Sequence, residues 1–259
     1  MGRNRFLVAA LLAITLNRAA HAEQIPVKHV QSPLHRYMVA RSEAGKTIAN
    51  VEFSQVVQSG EVTMRLTYRF VDGSIDDETT RYTQHGRFRL VRDHHVQRGP
   101  FFAKPVDFTV DAATGMVTSR TIDRNGKLHI DNRHMGLPDD LANGIVGTLL
   151  LNVPSNAAPF RVGMLAPVGG GRLIRLLISP QDEQPVHLAG QILKATVFRV
   201  HPELGGIVGV IARLLGLQPK DVMVWVLEGE EPAVAVIVGQ LGGSGPVVSS
   251  DLVGTSFDK

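Results

Sequence analysis

The feature that most restricts the fold of this chain is an alternation of apolar and polar residues with a period of two. Across 63–70, every second residue is apolar, and the residues between them are threonines and arginines. Successive side chains of a β-strand point to opposite faces, so this pattern predicts a strand with one buried face. The dipeptide Asp72-Gly73 follows shortly afterwards, and it is typical of a tight hairpin turn.

Similar short runs recur from 37 to 117, and turn signals that contain glycine separate them. Such spacing predicts an antiparallel meander with one face in water. After Pro159 the strand-like runs are more continuously apolar, as at 193–200 and 222–227, which predicts strands covered on both faces. The apolar run 205–216 favours a short helix between these two strands.

The segment 137–152 has a different pattern, which predicts a helix. Pro138 suits the first helical position, and Asp139 and Asp140 suit the first turn because the helix dipole favours acidic side chains there. Apolar residues then recur every four positions from 141 to 149, and most of the remaining positions are also apolar, as in a buried helix. We therefore expect a mainly β fold, in which a curved antiparallel sheet of the β-roll or half-barrel type packs around one buried apolar helix.

The first 22 residues have the order of features of a cleavable export signal. Arg3 and Arg5 precede an apolar run of 11 residues, and Ala20 and Ala22 stand at positions −3 and −1 of a small-x-small cleavage site. The run is shorter than the roughly 20 apolar residues that span a bilayer, so a retained membrane anchor is the weaker alternative. We expect a periplasmic or extracellular protein without a membrane span, whose residues 23–259 form a single β-rich domain.

Composition and charge exclude several classes of function. The precursor carries 27 Lys and Arg residues against 24 Asp and Glu. Three arginines and no acidic residue leave with the signal, so the mature chain has 24 residues of each sign and no net charge. Nucleic-acid binding requires clustered basic charge, so no nucleic-acid partner is expected. The lack of cysteine excludes disulfides, thiolate nucleophiles and cysteine-ligated metals, and no cofactor is predicted.

The candidates for catalysis are Asp93, His94 and His95. An imidazole beside a carboxylate can act as a general base or bind zinc. The ligands of a metal site, which is the weaker alternative, would be His94, His95, His129 and His134. Adjacent residues of a strand point to opposite faces, so His94 and His95 could not share one ion without a bulge. The structural alternative is that these histidines lie at the surface, at the ends of strands.

Polar residues near the start of the predicted helix are candidates for ligand binding. Asp139 and Asn143 lie four residues apart, so they would share one helical face at the mouth of a cavity. Arg98, which follows the adjacent histidines, is the third candidate. The structural alternative is that Asp139 and Asn143 serve only the capping and the electrostatics of the first helical turn.

Four segments resemble a group of uncharacterised exported bacterial proteins: Asp72-Gly73-Ser74, His95-Val96-Gln97-Arg98-Gly99-Pro100, Leu137 to Gly144, and 205–225. These proteins contain a domain of unknown function with a long-stranded β-roll, and the resemblance covers most of the mature chain. A looser likeness is to the curved half-barrels of periplasmic lipoprotein carriers. The resemblance implies a fold, but it implies no activity and no catalytic residues.

Three functions are open from the sequence. The first is the binding or carriage of an apolar or amphipathic ligand such as a lipid. The second is a hydrolase that acts on an envelope or extracellular substrate through histidine and aspartate, and the third is a structural or partner-binding envelope component. An enclosed apolar cavity would favour the first, converging histidines the second, and an exposed apolar patch the third. The oligomeric state stays open.

Overall fold

The computed structural model describes residues 25–122, 125–205, 219–241, 245–253 and 255–256. The predicted export signal and nearly all of the predicted helix at 205–216 lie outside these residues. The described strands are β1 (Leu34–Ser42), β2 (Thr47–Gln58), β3 (Glu61–Phe70), β4 (Ile75–His85), β5 (Arg87–Arg98), β6 (Val106–Asp111), β7 (Met116–Ile122), β8 (Leu128–His134), β9 (Phe160–Ala166), β10 (Arg172–Leu188), β11 (Gln191–Glu203), β12 (Val222–Leu227), β13 (Ala233–Gln240), β14 (Val247–Leu252) and β15 (Thr255–Ser256).

All of these strands belong to one antiparallel sheet. Its order is β15-β10-β11-β12-β13-β14-β1-β2-β3-β4-β5-β6-β7-β8, and β9 pairs with β10 outside this path. The sheet is curved and, among the described strands, it does not close into a barrel. The prediction of a mainly β fold built on a curved antiparallel sheet is therefore confirmed. No helix in the described part of the chain is long and apolar enough to cross a membrane.

Local sequence explains the first hairpins. The turn at Asp72-Gly73 joins β3 to β4 as predicted, and Gly73 adopts a φ of 84°, which a residue without a Cβ adopts readily. In β3, Met64, Tyr68 and Phe70 are buried, whereas the arginines on the other face are exposed. The face of the sheet that carries these three side chains is called the inner face below.

The predicted helix at 137–152 is wrong in its length. Helix α1 covers only Val146–Leu150. Before it, Leu141 forms a parallel bridge with Gly163 of β9, and the Ala142 N–H donates to the Gly163 carbonyl at 2.8 Å. These backbone groups therefore bond to a neighbouring strand instead of to a helical turn. Gly144, with a φ of 64°, separates this segment from α1.

The largest hydrophobic cluster joins β3–β7 and β9–β12 to the segment around α1. Ile145, Leu149 and Leu150 are buried in this cluster together with Phe108 and Phe198. A second cluster continues along the inner face of β1–β3 and β14. A third cluster lies on β10–β13. The inner face of β4 and β5 therefore borders the main hydrophobic cluster, and the polar side chains on this face lie beside that cluster.

Candidate functional site

Strands β4 and β5 carry a group of polar side chains on the inner face. Tyr68 of β3, an inner-face residue, pairs with Asp76 of β4, which fixes the face of the alternate residues that follow. The register of β4 and β5 then sets three polar pairs side by side: Asp76 with Gln97, Glu78 with His95, and Thr80 with Asp93. These six residues are called the acid–histidine cluster.

His95 and Asp76 form the first pair of contacts in the cluster. His95 Nε2 lies 2.6 Å from Asp76 Oδ1, and Gln97 Nε2 donates to Asp76 Oδ2 at 2.8 Å. The His95 side chain keeps 23% of its surface exposed, whereas Asp76 keeps only 8%. Asp76 is therefore held by two partners, and His95 is the member of this pair that solvent can reach.

Thr80 and Asp93 form the second pair, which the segment before α1 covers. Thr80 Oγ1 donates to Asp93 Oδ1 at 2.7 Å, and both residues are buried. Gly144 packs against them so closely that a Cβ at this position would lie 2.0 Å from Thr80 Oγ1. A glycine is therefore required where the chain passes over the cluster.

The surroundings of the cluster favour protonated groups. Burial, reinforced by the charge of Glu78, raises the pKa of Asp93 to about 8. Glu78 is partly accessible to solvent, but protein atoms surround its carboxyl group. This burial raises the pKa of Glu78 as well. Burial alone would lower the pKa of His95, but the hydrogen bond to Asp76 and the charge of Glu78 outweigh it and raise this pKa to about 9.

These protonation states limit the chemistry of the cluster. The raised pKa values of Asp93 and His95 favour the protonated form of both groups near neutral pH, and His95 is hydrogen-bonded to Asp76. A general base must be unprotonated near the working pH, so His95 in this state does not meet the requirement. The cluster is better suited to holding protons inside the protein than to removing one from a substrate.

The structure brings together only part of the predicted catalytic group. Asp93 and His95 belong to the cluster, whereas His94 lies on the opposite face, 3.0 Å from Asp107 Oδ1. His129 and His134 lie on β8, where every residue is exposed. The four histidines of the metal alternative are thus not brought together, and no group of three or more potential ligands among the described residues could hold a metal ion.

The predicted ligand-binding residues do not converge. Asn143 is buried, and its amide exchanges two hydrogen bonds of 2.8 Å with the backbone of Leu165, which makes it a link between segments. Asp139 is exposed, 3.9 Å from Arg89, and Arg98 is exposed at the end of β5. Sequence reasoning missed Asp76, Glu78 and Gln97. Polar residues at alternate positions after the Asp-Gly turn were the signal that could have found Asp76 and Glu78, whereas Gln97 joins the cluster only through its pairing with Asp76.

Two cavities differ greatly in size. The first, of about 20 Å³, lies between α1 and β9 and is lined by Asp140, Leu141, Ile145 and Leu149 among others. This volume is about that of one water molecule. The second, of about 370 Å³, is an open groove along β10 and β11, and its lining residues are Glu183, Gln184, Pro185, Ile192, Leu193 and Lys194. This second cavity is called the hairpin groove.

Comparison with known proteins gives a fold neighbour but no activity. No protein-family model and no curated protein matches the chain. The structure is similar to the crystal structure of a β-barrel-like protein of the domain of unknown function DUF1849 from Brucella abortus. The TM-score is 0.44 and the sequence identity 8%, with 89% of this chain and 100% of that chain covered. This neighbour is a β protein of a domain of unknown function, which is the kind of domain that the sequence resemblance named, and no site residue is transferred at this similarity.

Proposed function

We propose that this chain is an exported binding protein that holds an apolar or amphipathic ligand in the hairpin groove. The observation that carries the proposal is the hairpin groove, which sets exposed apolar side chains beside charged ones over about 370 Å³. It is an open surface groove and not the enclosed apolar cavity that the sequence criterion named, and its volume lies in the range of roughly 300–1,000 Å³ of small-molecule sites. The cavity beside α1 has space for about one water molecule, so the proposed ligand does not lie there.

The lining of the groove suits a ligand with an apolar and a polar part. Pro185, Ile192 and Leu193 supply apolar surface, and Ile192 is 68% exposed. At the same place Lys194 Nζ lies 2.6 Å from Glu183 Oε2. Transfer of the apolar surface of Ile192 from water onto a ligand chain would contribute about 1.5–3 kcal/mol to binding.

Trp225 provides the test of this proposal. It is the single tryptophan of the chain, and its indole Nε1–H donates to Gln184 Oε1, in the groove lining, at 2.9 Å. Titration of the mature protein with monomeric dodecyl maltoside should therefore give a saturable change in tryptophan emission. Ile192→Asp, which places a charge on the apolar lining, should weaken this binding about tenfold or more.

The matched control is Ile122→Asp, because Ile122 on β7 is also 68% exposed and lies outside the groove. This variant should bind dodecyl maltoside like the wild type. Equal losses in the two variants, or emission that never saturates, would contradict a site in the hairpin groove.

Export is part of the proposal, and the Arg3–Ala22 pattern supports it. Expression of the full chain in a Gram-negative host should yield a periplasmic protein whose N-terminal residue is Glu23. A cytoplasmic protein that retains residues 1–22 would contradict export.

A partner-binding role is the second candidate, and one exposed apolar surface favours it. Ile122, Leu128 and Ile130 on the β7–β8 hairpin are 68%, 53% and 54% exposed. Among the described strands, β8 pairs only with β7, and an edge strand of this kind can accept a strand from a partner. If a second copy is the partner, sedimentation should detect a dimer that Ile130→Lys abolishes. A wild-type monomer at all accessible concentrations would contradict self-pairing.

A further inference from the structure

We infer that Arg36 forms an anion-binding site on the inner face of the sheet, which takes a carboxylate or a phosphate group. The hairpin groove does not include Arg36, so the inference goes beyond the proposed function. It rests on the orientation of Arg36, on the lack of a direct hydrogen bond or ion pair of its side chain among the described residues, and on its half-buried position.

The first observation is the face on which Arg36 lies. Along β1, His35 and Tyr37 are exposed, whereas Arg36 is half-buried and Met38 is buried. Met38 pairs with Val51, and Val51 pairs with the inner-face residue Tyr68. Residues two apart on a strand share a face, so Arg36 also points to the inner face.

The second observation is that the guanidinium of Arg36 has no direct partner among the described residues. Its side chain makes no hydrogen bond there and no ion pair closer than 4 Å, and the attraction of Glu231 acts from a greater distance. Most other described arginines have a carboxylate at that distance, as Arg65 has in Asp77 and Arg161 in Glu203. Arg98, which also lacks such an ion pair among the described residues, differs from Arg36 because it is exposed to water.

The third observation is the setting of the guanidinium. Its cross-strand neighbour on β2 is Phe53, which belongs to the border of the main core. Burial lowers the pKa of Arg36, and the attraction of Glu231 opposes this effect only in part. A charge taken out of water without a partner is destabilising, and an anion with two oxygens would compensate it.

The chemistry of arginine defines the class of ligand. Its planar guanidinium presents paired N–H donors that match the two oxygens of a carboxylate or a phosphate. Apolar surface at Phe53 is compatible with the alkyl chain of an anionic amphiphile whose head group binds Arg36, and a free phosphate would satisfy the same donors. The amphiphile head group and the free phosphate both present a pair of anionic oxygens, and the experiment distinguishes between these two ligands.

The test is the thermal stability of the mature protein, titrated with inorganic phosphate and, separately, with monomeric dodecyl phosphate. Sodium chloride at equal ionic strength is the reference. A ligand that binds only the folded chain raises Tm as its concentration passes its Kd. We expect at least one of the two phosphates to raise the Tm of the wild type above the sodium chloride reference.

Arg36→Met should lose this response, with an affinity lower by about 10–100-fold, because hydrogen bonds to a charged group are removed. Arg36→Lys, which keeps the charge without the planar fork, should retain part of the affinity. Arg98→Met is the matched control, since it removes one arginine charge from an exposed position, and it should respond like the wild type.

The possible results show whether Arg36 binds an anion, which of the two ligands it binds, and whether its side chain stabilises the fold without an anion. A response to inorganic phosphate identifies a site for the free anion, and a response to dodecyl phosphate alone identifies an amphiphile head group. Without anion, Arg36→Met should melt no lower than the wild type, because a half-buried charge that has no direct ion pair is removed. The inference would be overturned if the Tm of Arg36→Met without anion fell far below that of the wild type. It would also be overturned if neither phosphate raised the Tm of the wild type, or if Arg36→Met kept the full response. Ile192→Asp should leave the response intact, so this site and the hairpin groove can fail separately.

Discussion

At the scale of single residues, burial raises the pKa of Asp93, whereas the hydrogen bond to Asp76 and the charge of Glu78 raise the pKa of His95 against the effect of burial. The pKa of Asp93 rises from 3.8 to about 8, so the folded chain retains a proton that the unfolded chain releases above about pH 4. The free energy of unfolding therefore falls as the pH rises from about 4 to about 8. The pKa of His95 rises from 6.5 to about 9, and the stability from this group is present below pH 6.5 and is lost by about pH 9.

Asp93→Asn tests this account at one residue. The asparagine keeps an acceptor for Thr80 but has no proton to release, so the variant should lose less stability than the wild type between pH 5 and pH 8. The slope for one proton is about 1.4 kcal/mol per pH unit, which urea unfolding at several pH values can resolve. Asp182→Asn, at an exposed position of β10 outside the cluster, is the control and should follow the wild type. Parallel curves for wild type and Asp93→Asn would contradict the raised pKa.

For single residues, the sequence predicted the face of the strand on which a side chain lies better than it predicted the residues that this side chain contacts. The prediction that His94 and His95 point to opposite faces follows from strand geometry, and the structure agrees with it. The partners Asp76 and Glu78 depend on the register between β4 and β5. That register includes a shift between Arg81 and Tyr82, which no local pattern reveals.

At the scale of elements, the segment before α1 explains both a wrong prediction and a constraint. Its apolar spacing fits a helix, but β9 offers hydrogen-bond partners at Gly163 that the sequence cannot place. Tertiary pairing thus overrides local propensity there. The apolar residues around α1 are nevertheless buried, since Ile145 and Leu149 belong to the main core.

Gly144→Ala should be among the more destabilising small substitutions in the chain. The residue has a φ of 64°, which costs an L-residue about 1–2 kcal/mol, and the new Cβ would collide with Thr80. Overpacking adds about 1–3 kcal/mol, so urea unfolding should show a loss of about 2–5 kcal/mol.

Gly45→Ala separates these two costs. Gly45 has a φ of 77° with nothing within 4 Å of an added Cβ, so only the backbone cost of about 1–2 kcal/mol should appear. If both variants lose the same free energy, the close approach of Gly144 to the cluster is not a determinant of stability.

At the scale of the whole molecule, the strand order joins the two ends of the described chain. β1 pairs with β14, which sets Met38 against Leu252, and most other neighbours in the sheet are consecutive strands. Turn signals and alternation predicted many of the consecutive hairpins. They could not predict the β1–β14 pairing or the open ends at β8 and β9, because these depend on curvature accumulated over the sheet.

The whole molecule also locates the proposed ligand site outside the core. The inner face of the sheet carries side chains of the main hydrophobic cluster. The cavity between α1 and β9 has about the volume of one water molecule. Of the two cavities described, the hairpin groove is the larger, and it lies on strands of 17 and 13 residues. The sequence had predicted a ligand at Asp139 and Asn143, but Asn143 instead ties its segment to Leu165.

The most direct test of the central claim is nuclear magnetic resonance mapping of the mature protein during titration with monomeric dodecyl maltoside. The account predicts saturable shifts of the backbone amides at 183–184 and 191–194 and of the Trp225 indole. It predicts much smaller shifts at the acid–histidine cluster and on β8. Shifts confined to those other regions, or no saturable shift at all, would contradict ligand binding in the hairpin groove.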